Sequence, residues 1–83
     1  MARTSKEYLL AHNIRERLKA GDDARELYAA LAKWRPDIER KALGKVFAEE
    51  YLTWAREAGV STAEKEGVLE CIGAEANGPA DAA

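Results

Sequence analysis

Few residues in this chain have a type and spacing suited to chemistry. His12 is the single histidine and Cys71 the single cysteine. A zinc site of the usual kind takes about four ligands, mostly His and Cys, which this pair cannot supply. His12 projects to the polar side of its helix, the place of a solvated side chain rather than a general base. Cys71 has no basic neighbour in sequence to stabilise a thiolate, so it reads as a partly buried, inert thiol. Ser5 and Ser61 stand at helix starts, where a hydroxyl caps backbone N–H groups. Adjacent carboxylates occur at Asp22–Asp23 and Glu49–Glu50. Neighbours on a helix diverge by about 100°, so Glu49 and Glu50 do not share a proton, and Asp22–Asp23 reads as a cap. Neither a Gly-rich phosphate loop nor calcium-loop spacing is present. The expectation is a protein without catalysis, with no metal and no cofactor.

What remains is charge. Residues 1–45 carry eleven Lys and Arg against seven Asp and Glu, or +4; residues 46–83 carry two against eight, or −6. In the acidic half, Glu49, Glu50, Glu57, Glu64, Glu66 and Glu70 fall on two consecutive helices and are expected to form one negative surface. Leu52 is the nearest apolar anchor beside it. These seven are the candidate partner-binding residues. Such a surface would be drawn to a basic groove, for example one that normally holds nucleic acid. The competing expectation is that the two halves pair with each other inside the fold. In the basic half, Lys33, Arg35, Arg40, Lys41 and Lys45 are interrupted by Asp37 and Glu39, as on a solvated helix face.

These side chains must be positioned by helices, because no strand pattern occurs. Thr4 and Glu7 have the spacing of a capping box. They open a first helix with Leu10, Ile14 and Leu18 as its core stripe, Ala11 and Tyr8 beside it, and Leu9 outside. Gly21 ends it. Asp23 and Glu26 cap a second helix whose apolar face is Leu27, Ala30, Leu31 and Trp34, with Tyr28 at the margin. The stretch from Pro36 to Gly59 predicts one long central helix with Pro36 in its first turn. Leu43, Phe47, Tyr51, Trp54, Ala55 and Ala58 form its main face. Ile38, Val46 and Leu52 point elsewhere, which is expected either of helices packed on two sides or of a contact surface for another chain. Gly44 offers a point of bending, since it costs about 1 kcal/mol relative to Ala in a helix. Ser61 and Glu64 start a short fourth helix carrying Val68, Leu69 and Ile72, weakened by Gly67. Both Trp34 and Trp54 are expected to be shielded from solvent.

The fold class is therefore all-α: a compact bundle of four helices with one long central helix. Residues 1–72 form a single domain, and 73–83, made of small residues around Asn-Gly-Pro, read as a disordered tail. Eighty-three residues suffice for one small domain. No apolar run approaches the ~18 residues of a membrane span, and a single cysteine suits a reducing compartment, so a cytoplasmic location is expected.

The segment WAREAGVSTAEKEGVLECI resembles the helix-turn-helix of bacterial DNA-binding repressors. The matching residues are Ala55, Gly59 at the turn, Val60, Ser61-Thr62 and Val68. The resemblance implies a transcription regulator using residues 54–70, with a recognition helix from about Thr62 to Glu70. Lys65 stands where that family has an apolar residue. The helix would offer Glu64, Glu66 and Glu70 to a phosphate-lined groove, and carboxylates there oppose binding. The leading expectation is a small non-enzymatic regulator or inhibitor whose partner is a protein, either another chain or a second copy of itself. Nucleic acid is the alternative partner, and no membrane is implied.

Overall fold

The computed structural model describes residues 4–77, with side chains placed through residue 73. Four α-helices follow one another: α1 (Ser5–Lys19), α2 (Ala24–Trp34), α3 (Arg40–Ala58) and α4 (Thr62–Asn77). No strand occurs among the described residues. The protein is the all-α bundle that its sequence pattern implies, with α3 as the long central helix.

Local signals start and stop these helices. The Thr4 hydroxyl accepts from the Glu7 N–H at 3.2 Å while the Glu7 carboxylate accepts from the Thr4 N–H at 3.0 Å, which satisfies two otherwise orphaned donors. Gly21, at φ 100°, turns the chain out of α1. Asp23 caps α2 through the Glu26 N–H at 3.1 Å. Gly59, at φ 74°, ends α3 in the left-handed conformation, which a residue without Cβ adopts freely. Ser61 then accepts from the Glu64 N–H at 3.2 Å to open α4.

α3 begins at Arg40, not at Pro36. Pro36 disfavours helical geometry at Arg35, and Arg35 takes φ −122°, ψ 65°. The Ile38 N–H closes a turn on the Arg35 carbonyl at 3.2 Å, and the Arg35 guanidinium donates to Asp37 at 3.2 Å. Ile38 is buried from within this turn, which explains why it projected off the helix face. From Arg40 onward α3 is unbroken through the buried Gly44.

α3 packs against all three other helices, most extensively against α1 and α4. Leu43, Val46, Phe47, Tyr51 and Ala55 are buried along it, so it is covered from two sides. α1 supplies Leu10, Ala11, Ile14 and Leu18, and α4 supplies Val68 and Ile72. From α2 comes Tyr28, whose ring meets Phe47 edge-on, with centroids 5.3 Å apart at 76°. That geometry suits the ring quadrupoles.

Several expectations are corrected. Tyr28 is not marginal but fully buried, and its contact with Phe47 rotates the buried face of α2 towards it. Trp34 is 65 % exposed: it is the last residue of α2, and the chain turns away before anything can cover it. Trp54 is only half-buried, while Tyr8 and Ala58 are exposed. The fourth helix is long, running four residues past Gly73 to Asn77. Ala74, Glu75 and Ala76 favour helix, and the first strong breaker is the Gly78-Pro79 pair. The remainder of the expected tail, 78–83, lies outside the described residues.

Three stability measurements follow. In urea unfolding, Phe47→Ala should cost about 3–5 kcal/mol, a large share of the roughly 5–15 kcal/mol of a whole domain. Trp34→Ala should cost no more than about 2 kcal/mol, given how little of the ring is covered. Gly67→Ala should stabilise by up to about 1 kcal/mol. Its new Cβ would meet only the Nη2 end of Arg25, at 2.8 Å, and that flexible terminus can move aside.

Candidate functional site

The largest apolar groups left in solvent are Tyr8, Leu9 and Trp34, which are 57 %, 64 % and 65 % exposed. Leu9 and Trp34 belong to the side of the bundle where α1 meets α2. A groove of about 390 Å³ lies there, lined by Asn13, Glu16 and Arg17 of α1, by Leu27, Ala30, Leu31 and Trp34 of α2, and by Arg35. A neighbouring groove of about 470 Å³ shares Arg17, Leu27, Ala30 and Trp34 and continues to Asp22, Asp23 and Glu26. The two share these residues and form one trough, with the exposed Trp34 on its rim. Leu9 lies one helical turn before Asn13 on the same face of α1.

Charges border this trough in opposite pairs. Arg17 Nη1 is 3.8 Å from Asp22. Lys6 Nζ is 3.5 Å from Asp37, which also accepts from Arg35. The Arg35 hydrogen bond holds the Asp37 carboxyl below its ordinary pKa, with the Arg35 and Lys6 charges adding to the effect. Because the folded pKa is depressed, this cluster supports the α1–α2 end above the unfolded value of 3.8. The support is lost as pH falls through the folded value.

The seven residues of the proposed acidic surface are not one surface. Glu50 is only 5 % exposed. Its Oε1 accepts from Arg15 Nε at 2.9 Å and Nη2 at 2.7 Å, tying α3 to α1. Helical phase explains this: Glu50 falls between Val46 and Tyr51, on a side of α3 that α1 covers. Glu64 is exposed but accepts from Arg25 Nη1 at 3.2 Å, tying α4 to α2. Glu57 shares a groove with Arg15 and Lys19. Glu49, Glu66 and Glu70 are exposed, and Leu52 is half-buried. The basic and acidic halves thus close on each other at two crossings. Burial, and after it the Glu64 carboxylate, raise the Tyr51 hydroxyl above its ordinary pKa.

The corner between α3 and α4 has the left-handed Gly59, Val60 packed on the core, Ser61 as cap and Val68 buried. Lys65 is half-buried, and the exposed face of α4 carries Glu64, Glu66 and Glu70. His12 is exposed, and no group of three or more His, Cys, Asp or Glu among the described residues could hold a metal ion. Cys71 is half-buried. It borders a groove with Arg25, Lys33 and Arg40, basic neighbours from other helices that its own sequence surroundings do not contain. No helix among the described residues is long and apolar enough to cross a membrane.

The two ion pairs should differ in weight. Arg15→Ala removes two charge-assisted hydrogen bonds from a nearly buried carboxylate and should cost about 1–3 kcal/mol in urea unfolding. Arg25→Ala removes an exposed pair and should cost under about 1 kcal/mol.

Comparison with known proteins gives no match to a family model, to a curated protein or to a solved structure.

Proposed function

We propose that this protein acts by binding another protein chain rather than by catalysis, as a small cytoplasmic regulator or inhibitor. The observation that carries this reading is Trp34, a large aromatic ring exposed at the rim of a partly apolar trough. Interface energy concentrates in such anchors, with Trp enriched among them, and mixed charge at a rim favours register over raw affinity. The apolar anchor is therefore the α1–α2 side, and not Leu52. Docking on a basic, nucleic-acid-handling partner through the acidic residues Glu49, Glu57, Glu66 and Glu70 has weaker support, since Glu49, Glu50 and Glu64 are all engaged within the chain. The helix-turn-helix reading is favoured by the Gly59 turn and the packing of Val60. The carboxylates of α4 weigh against it.

The test is affinity capture from the source cell with the full chain, its Trp34→Ala variant and its Leu9→Ser variant. Wild type should retain a protein partner, and both variants should lose it while keeping the helical circular dichroism of the parent. Retention of one unchanged set of proteins by all three would overturn the reading.

A further inference from the structure

The outer edge of α2 is complementary to its own reversal. At about 100° per residue, Glu26, Ala30 and Lys33 share this edge, with Trp34 beside them and Leu27 next to it on the trough side. Glu26 and Lys33 are exposed, Ala30 is half-buried, and Trp34 is 65 % exposed. When two copies of α2 lie antiparallel with Ala30 crossing Ala30, Glu26 of one comes level with Trp34 of the other, and Leu27 with Lys33. A two-fold axis normal to the plane of the pair keeps every residue on its own side of the contact. Glu26 and Lys33 are about 20° apart on one side, and Leu27 and Trp34 are about 20° apart on the other. Each Glu26 carboxylate therefore meets the Lys33 ammonium of the second copy. Each Trp34 ring lies over the Leu27–Ala30 floor of the second copy's trough. Ala30 at the crossing permits close approach of the axes, towards the roughly 8 Å end of the usual range.

We propose that this protein forms a two-fold symmetric homodimer through α2, with Trp34 of each copy seated in the α1–α2 trough of the other. This rests on the reading of the trough as a protein-binding surface, and names its occupant. Glu26 and Lys33 give each copy one acid and one base that find their complements in the other copy. That suits a second copy, whereas a nucleic acid would demand a surplus of Lys and Arg.

The experiment is sedimentation equilibrium of the full chain from about 5 µM to about 500 µM, a range that covers the affinity of a small interface. Wild type should form a dimer that dissociates on dilution. Trp34→Ala, checked by circular dichroism, should weaken it by at least about thirtyfold. Glu26→Lys and Lys33→Glu should each weaken it several-fold, and the double swap should restore wild-type affinity. The rescue is diagnostic, because Glu26 and Lys33 are two turns apart within one copy and meet only across the dimer. A chain that stays monomeric throughout overturns the dimer, as does a dimer indifferent to Trp34→Ala or a double swap no better than its singles. If the chain is monomeric yet still captures a different protein through Trp34, the trough stands as a binding surface and only its occupant is wrong. If it is monomeric and captures nothing through Trp34, both readings fall together.

Discussion

Covering α3 from two sides is the constraint on which the rest of the structure depends. Phe47, Tyr51, Leu43 and Ala55 have essentially no solvent contact, and no single neighbouring helix could enclose a helix buried over so wide an arc. α1 covers one side and α4 the other, while Tyr28 closes the gap from α2 through its contact with Phe47. A chain of this size has little apolar surface to spare, and most of it is committed to this one helix. α2 receives what is left. It is held chiefly through Leu27, Tyr28 and the half-buried Leu31, and its outer edge and final tryptophan remain uncovered. The exposed surface of the protein is thus a consequence of how its core is distributed.

The same constraint disposes of the charge asymmetry. Bringing α1 and α2 against α3 and α4 sets a basic half of the sequence against an acidic half. Arg15–Glu50 and Arg25–Glu64 cross that boundary. The first reaches into the bundle, where an unaccompanied carboxylate would be costly. Its two hydrogen bonds fix how α1 lies along α3 more than they add net stability. The second lies in solvent and contributes mainly to the approach of α2 and α4. Around the α1–α2 trough the exposed charges are of both signs.

The sequence by itself determined the elements. Thr4–Glu7, Asp23–Glu26 and Ser61–Glu64 mark three helix starts, Gly21 and Gly59 mark two ends, and these signals act within a few residues. The stripes Leu10–Ile14–Leu18 and Leu43–Phe47–Tyr51 identify core faces, because helical periodicity is also local. The surplus apolar position Val46 pointed to burial from two sides, whereas Ile38 proved to belong to the turn before α3. Only the tertiary structure decided which carboxylates are surface and which are interior. Helical phase separates the adjacent Glu49 and Glu50, but which of them is buried follows only once α1 is seen to cover the Val46 side of α3. It decided that Tyr28 is core and Trp34 is not, because that depends on where Phe47 lies and where the chain leaves α2. It also gathered Arg25, Lys33 and Arg40 beside Cys71, and Trp34 beside Arg17 and Asn13. These residues are distant along the chain, and no periodicity within a single helix carries the information that brings them together.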